Sequence, residues 1–201
     1  MTSPPDALIF DLGGVIVAHD NAVMYRAIAS RCPGGDAEGA ALQVLRGQSW
    51  DTGAPIAELH QALQARAGYG AGWDQFVRDW TCHFAVDAAM LDFVEALAAR
   101  RRTFLFSNTN AEHWDHLVDR TGGRLGRLER YLSHEIGLAK PARESFLEVA
   151  RQAGVEPSRA IFFDDVEDNV LGARAAGFRS EVFTDQASLV RTLEALGVAG
   201  A

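Results

Sequence analysis

Runs of apolar residues with no polar face punctuate this chain, and each predicts a strand buried on both sides. The first lies within 7–17 (ALIFDLGGVIV), where Ala7, Leu8, Ile9 and Phe10 are followed by Asp11 and then by Gly13-Gly14. The paired glycines mark a strand end at which the backbone turns sharply or approaches a ligand closely. Runs at 103–106 and 160–163 predict two more central strands, and 131–133 and 181–183 predict two shorter ones.

Between the first two runs the apolar spacing changes to that of helices. Val23, Met24, Ala27 and Ile28 form one stripe, and a short helix is expected to reach Arg46. Pro55 opens a helix with Ile56, Leu59 and Leu63, and Trp73 opens another with Phe76, Val77, Trp80 and Phe84. Loops are expected at 32–36 and 47–54. No strand is predicted from 18 to 85, so that span reads as an all-helical block inserted into a core of 1–17 and 86–201. Within that core, Asp87 caps a helix carrying Met90, Phe93, Val94 and Leu97, and its closing Arg100-Arg101-Arg102 suits a helix C-terminus. Trp114, Leu117 and Val118 mark the next helix, Phe146, Leu147 and Ala150 another, and 188–196 the last. Strands alternating with helices predict an α/β fold, a Rossmann-like doubly wound parallel sheet with the helical block as a subdomain.

Composition narrows the function. A net charge of −8 argues against nucleic acid or an anionic membrane surface as the main partner. Cys32 and Cys82 are too few for a disulfide framework and lack metal-ligand spacing, so a reducing cytoplasm is expected. No segment is long enough to span a bilayer, and the first residues lack the basic region of a signal peptide.

Four strand ends carry chemistry: Asp11, Ser107-Asn108, the turn at Lys140, and the acidic run from Asp164-Asp165 to Asp168. Each has an ordinary explanation when taken alone, as a helix cap, a surface lysine or a solvated acidic loop. Parallel strands, however, bring all four to one edge of the sheet. Carboxylates converging there repel one another unless a cation sits between them. Oxygen ligands without Cys or clustered His suit Mg²⁺. Such an ion usually accompanies phosphate, whose oxygens a lysine and a serine hydroxyl can hold.

The order of these pieces resembles the haloacid dehalogenase-like (HAD) hydrolase superfamily: FDLGGV at 10–15, FSNT at 106–109, KP at 140–141 and FFDDVEDN at 162–169. The details are most similar to its helical-cap phosphatase branch, in particular the bacterial α-D-glucose-1-phosphate phosphatases. The resemblance implies a cap at 18–85 and a phosphatase of a small phosphorylated metabolite, with a sugar phosphate as one candidate. It implies Asp11 as the nucleophile, and Mg²⁺ held by Asp11, the Gly13 carbonyl and Asp165, with Asp164 or Asp168 assisting. Ser107 and Asn108, with Gly13, Gly14 and Asp20, form the implied substrate-binding set, and Lys140 neutralises charge. Most phosphatases of the family carry an acid two residues after the nucleophile, whereas this chain has Gly13. The slot is also non-acidic in the metal-independent haloacid dehalogenases, which lack a pair like Asp164-Asp165. A dehalogenase and a non-catalytic phosphate-binding module therefore stand as alternatives. His19, Asp20, Trp50, His60, Trp73 and His83 are candidates for facing the cleft, while Trp80 and Phe84 are expected in the core of the helical block.

Overall fold

A computed structural model describes residues 3–34, 36–46 and 50–198. In chain order its elements are β1 (Ala7–Phe10), β2 (Val17–His19), α1 (Asn21–Ala29), α2 (Ala37–Leu45), α3 (Ile56–Ala67), α4 (Trp73–Thr81), β3 (Phe84–Val86), α5 (Ala88–Ala98) and β4 (Thr103–Ser107). There follow α6 (Ala111–Arg120), β5 (Glu129–Leu132), α7 (Ser133–Ile136), α8 (Arg143–Ala153), β6 (Ala160–Asp164), α9 (Glu167–Ala175), β7 (Arg179–Val182) and α10 (Gln186–Ala195).

Five strands form one parallel sheet in the order β5-β4-β1-β6-β7. Successive residues of a strand point to opposite faces, and here both faces are covered. Leu8, Phe10, Leu105, Ile161 and Phe163 pack on one side with residues of α5, α6 and α10. Ala7, Ile9, Phe104, Phe106 and Phe162 pack on the other with residues of α8 and α9. That two-sided burial is why the strands read as unbroken apolar runs. The chain winds outward from β1 through β4 to β5, then crosses back to β6, so β1 stands at the point where the strand order reverses. Ligands of open α/β sheets bind at such points, beyond the carboxyl ends of the strands.

Helices α1 to α4 have a core of their own, built around Ile28, Leu59, Leu63, Phe76 and Trp80. No helix among the described residues is long and apolar enough to cross a membrane. The span expected to lack strands is bounded by β2 and β3, which pair antiparallel with His19 opposite Phe84. Three residues per strand is too short for a period to show. Phe84 accordingly leaves the helical core, where its spacing from Trp80 suggested it, and packs partly against the sheet-side cluster. The last strand starts two residues earlier than expected, because Ser180 is its only buried position. Residues 47–49 of one expected loop and Gly35 of another lie outside the described residues.

Candidate active site

The carboxyl ends of β1, β4 and β6 open into a cleft of about 280 Å³, lined in part by Asp11, Ser107, Lys140 and Asp165. The sheet itself aims Asp11: its N–H donates to the Phe163 carbonyl (2.9 Å), continuing the ladder one residue past β1. Leu12 N–H donates to Asp11 Oδ1 (2.7 Å). No hydrogen bond from a described residue reaches Oδ2.

Lys140 is held at both ends. Asn108 clamps its backbone, donating from Nδ2 to the Lys140 carbonyl and accepting from the Lys140 N–H, each at 2.9 Å. Its side chain runs inward past the rings of Phe106 and Phe162. There Nζ meets Asp11 Oδ1 at 2.8 Å and Asp164 Oδ2 at 2.6 Å. Only 5% of Lys140 is exposed. A buried ammonium is tolerated because two carboxylates compensate it. Asp164 is fully buried, and its remaining capacity is taken by Asn169 Nδ2, 3.0 Å from both oxygens, and by the Val166 N–H at 2.9 Å.

Ligand atoms of Asp11, Asp164 and Asp165 all lie within 4.8 Å of one another. Burial pushes the Asp11 carboxyl up to about 7 against the pull of the Lys140 ammonium, with Asp164 adding to the rise. Burial and Asp164 also raise Asp165, opposed by His19 and Lys140. Three carboxylates against one ammonium leave excess negative charge, which an oxygen-seeking divalent cation relieves. The all-oxygen donor set fits Mg²⁺.

Ser107 ends β4 buried beside the cleft, and its hydroxyl makes no hydrogen bond among the described residues. Gly13 lines the cleft, and Gly14 lies against the Asp165 carboxylate. Asp20 does not belong to this group. It is the N-cap of α1, exposed, accepting from the Ala22 N–H at 2.9 Å. Asp168 stands exposed in the first turn of α9, outside the acidic cluster, where it complements the helix dipole. Trp50 and His60 are buried in the helical core, and Trp73 packs on His60 and Phe76 at its edge, so none of the three lines the cleft.

His19 and His83 do line the cleft, together with His113, which the apolar pattern did not single out. His113 is tied by Nε2 to the Trp80 carbonyl (3.1 Å) and by Nδ1 to Asn110 (3.2 Å). Burial lowers His113 to about 3 and His83 to about 4, so both stay neutral at neutral pH. Thr109 was also missed: its N–H is bonded to Ser133 Oγ, a contact between strand ends that no local pattern announces.

Residues 5–177 match the family model of the haloacid dehalogenase-like hydrolases. A phosphatase of Mycobacterium tuberculosis is 38% identical over 69 residues, which span 32% of this chain and 32% of that protein. The chain thus matches about a third of the length of that relative. A HAD family enzyme from Bacteroides thetaiotaomicron superposes with a TM-score of 0.81 at 24% identity, covering 94% of this chain and 100% of that one. The same enzyme has been solved in complex with magnesium and inorganic phosphate (TM-score 0.78, 22% identity, 92% and 98% covered). A 2-haloacid dehalogenase from Pseudomonas syringae shares the fold more distantly, with a TM-score of 0.65 at 18% identity over 95% and 98% of the two chains. With the family model matched over most of its length, three motifs at strand ends and the Lys140 motif in the loop after α7 all in one cleft, this chain belongs to the haloacid dehalogenase-like hydrolases.

Proposed function

We propose that the chain is a Mg²⁺-dependent phosphatase of a small phosphorylated metabolite, with Asp11 as the nucleophile that accepts the phosphoryl group. The observation that carries this reading is the Lys140 ammonium fixed between Asp11 and Asp164, beside a third carboxylate at Asp165. A carboxylate attacks a phosphate dianion only where their repulsion is screened. Asp11, the Gly13 carbonyl and Asp165 would hold Mg²⁺, which when bound there neutralises the non-bridging phosphate oxygens. Asp164, its oxygens already occupied, holds Lys140 in place. The Ser107 hydroxyl and the groups around Asn108 receive the remaining phosphate oxygens, and Asp11 Oδ2 is left to attack phosphorus. Water then hydrolyses the acyl phosphate and restores the carboxylate. Positioning and charge neutralisation are most of what phosphoryl transfer requires.

Residues 18–85 act in this reading as a cap that covers the cleft, excludes bulk water and contacts the part of the substrate that leaves. The Bacteroides enzyme's magnesium and phosphate, and the name of the mycobacterial relative, support the same chemistry. The motif resemblance favours a sugar phosphate as the metabolite class. The test is hydrolysis of p-nitrophenyl phosphate. Activity should require Mg²⁺ and vanish with a chelator, and Asp11→Asn should lower it by at least about 10³-fold while the protein stays folded. A dehalogenase would keep its activity in chelator and release halide from a 2-haloacid. A binding module would retain phosphate without turning it over.

A further inference from the structure

The phosphatase reading leaves the leaving oxygen without an obvious proton donor, because position 13 is a glycine. The backbone does not demand that glycine. Gly14 adopts a left-handed conformation (φ 69°), whereas Gly13 is not among the positive-φ residues. What stands beside it is a side chain. A Cβ at position 13 would stand 3.2 Å from Cδ2 and 3.3 Å from Nε2 of His19. The imidazole thus occupies the room that a side chain two residues after Asp11 would fill. We propose that His19 is the general acid and base of this site, protonating the leaving oxygen and then activating water.

Strand pairing fixes the backbone of His19 at this place. It ends β2, pairs with Phe84 of β3, and sets its ring edge-on to His83 at 6.4 Å. It lines the cleft, is solvent-exposed, and neither ring nitrogen is hydrogen-bonded to another described residue. The other titratable groups beside the cleft are less available, although the buried Nδ1 of His83 has no hydrogen-bond partner among the described residues. Asp20 is spent capping α1, His113 has both nitrogens occupied, and His83 is buried. Low proton affinity at His83 and His113 agrees with that assignment. In-line displacement drives the leaving oxygen away from Asp11, towards the cleft walls to which the β2–β3 ribbon contributes His19 and Phe84.

The protons balance over two steps. As Asp11 Oδ2 bonds to phosphorus and the phosphorus–oxygen ester bond breaks, the His19 imidazolium passes its proton to the departing oxygen, and an alcohol leaves. The neutral imidazole then takes a proton from the water that attacks the acyl phosphate. Inorganic phosphate departs, and both Asp11 and the imidazolium are restored.

This inference rests on the phosphatase reading, and the experiment separates the two. kcat/KM is measured with Mg²⁺ for phosphate esters of rising leaving-group pKa, in wild type, His19→Gln and, should the first variant fold poorly, His19→Asn. A missing general acid costs about 10²–10⁴-fold where the leaving group is poor. Alkyl phosphates should therefore lose about that much. p-Nitrophenyl phosphate, whose leaving group needs little help, should lose less than about tenfold. Because the second step also lacks its base, rapid mixing of the variant with p-nitrophenyl phosphate should show a burst of p-nitrophenol that wild type lacks. An equal loss across the series, or none, overturns the role of His19 and leaves the phosphatase reading intact. Wild type without Mg²⁺-dependent hydrolysis of p-nitrophenyl phosphate overturns both.

Discussion

A Cβ added to Gly14 would lie 2.0 Å from Asp165 Oδ2, on a backbone with φ 69°. Gly14→Ala should therefore cost about 1–2 kcal/mol in backbone strain. The carboxylate can swing aside more cheaply than the sheet can move, so the larger effect falls on the metal. The expected result is Mg²⁺ affinity lowered by about tenfold or more in calorimetric titration, with a folded protein. Lys140→Met is the harsher change, since it leaves Asp11 and Asp164 buried without their ammonium. Removing one partner of a buried ion pair costs about 3–5 kcal/mol, to be read from urea unfolding in chelator. The sign of its pH dependence follows from Asp11, whose carboxyl burial pushes up to about 7, above the ordinary carboxylate range, with Lys140 pulling it down. Without the lysine it rises further. The folded state then binds the extra proton, so the variant should gain stability as pH falls from 8 to 6, and more steeply than wild type. Asp11, Asp164 and Asp165 were legible in sequence because a charged residue at the end of an apolar run has few uses, and Lys140 was legible only together with them. His19 was legible only as a candidate for facing the cleft, since its neighbour at position 13 is a glycine and an absent side chain leaves no pair to read. The Asn108 clamp on Lys140 was equally hidden, because it joins an amide to backbone 32 residues away.

Among the elements, α9 matters to the site through a residue that has no side chain. A Cβ at Gly172 would sit 2.2 Å from the Pro141 carbonyl oxygen and 3.0 Å from the Phe146 ring. Helix propensity favours alanine there by about 1 kcal/mol, but backbone stands in the way and cannot give locally. Overpacking of this kind costs about 1–3 kcal/mol. Gly172→Ala should thus be destabilised in urea despite the better helix former. It should also lose phosphatase turnover, because the loop it displaces is the one that aims Lys140. Stability lost with turnover unchanged would show that α9 supports the sheet but not the lysine. The helices and central strands were readable because each buries a full stripe or both faces, which leaves a periodic mark. The β2–β3 ribbon leaves none. Its strands have three residues each, and their partially exposed faces carry His19 and Phe84, so a polar stretch read as a helix start and an aromatic read as a helix end.

At the scale of the whole molecule, three hydrophobic clusters among the described residues divide the labour: two clamp the sheet and the third holds α1 to α4 together. Every carboxylate proposed to hold Mg²⁺ belongs to the sheet side, yet the helical layer is not an independent passenger. Val15, Ile16 and Val17 root the ribbon in the sheet-side cluster. Trp80 stacks on His113 at 4.7 Å and donates to Asn110 Oδ1 at 3.4 Å, which ties α4 to α6. The two layers should therefore unfold together, and Mg²⁺ should stabilise both. A ligand present at about 100 times its Kd adds about 2.7 kcal/mol to the folded state. For a chain of this size that corresponds to a rise of about 5–11 °C in Tm. Three of the four tryptophans, Trp50, Trp73 and Trp80, lie in the helical layer. Tryptophan fluorescence thus reports mainly that layer, while far-UV circular dichroism reports the whole chain. Both midpoints should rise by the same amount with Mg²⁺, and sodium at matched ionic strength should not reproduce the shift, because screening alone does not supply a ligand. In Asp165→Asn the shift should shrink in both signals. A circular dichroism midpoint that climbs while the fluorescence midpoint stays put would show that the ribbon and the Trp80 contact do not transmit the metal's stabilisation, and that the helical layer melts on its own.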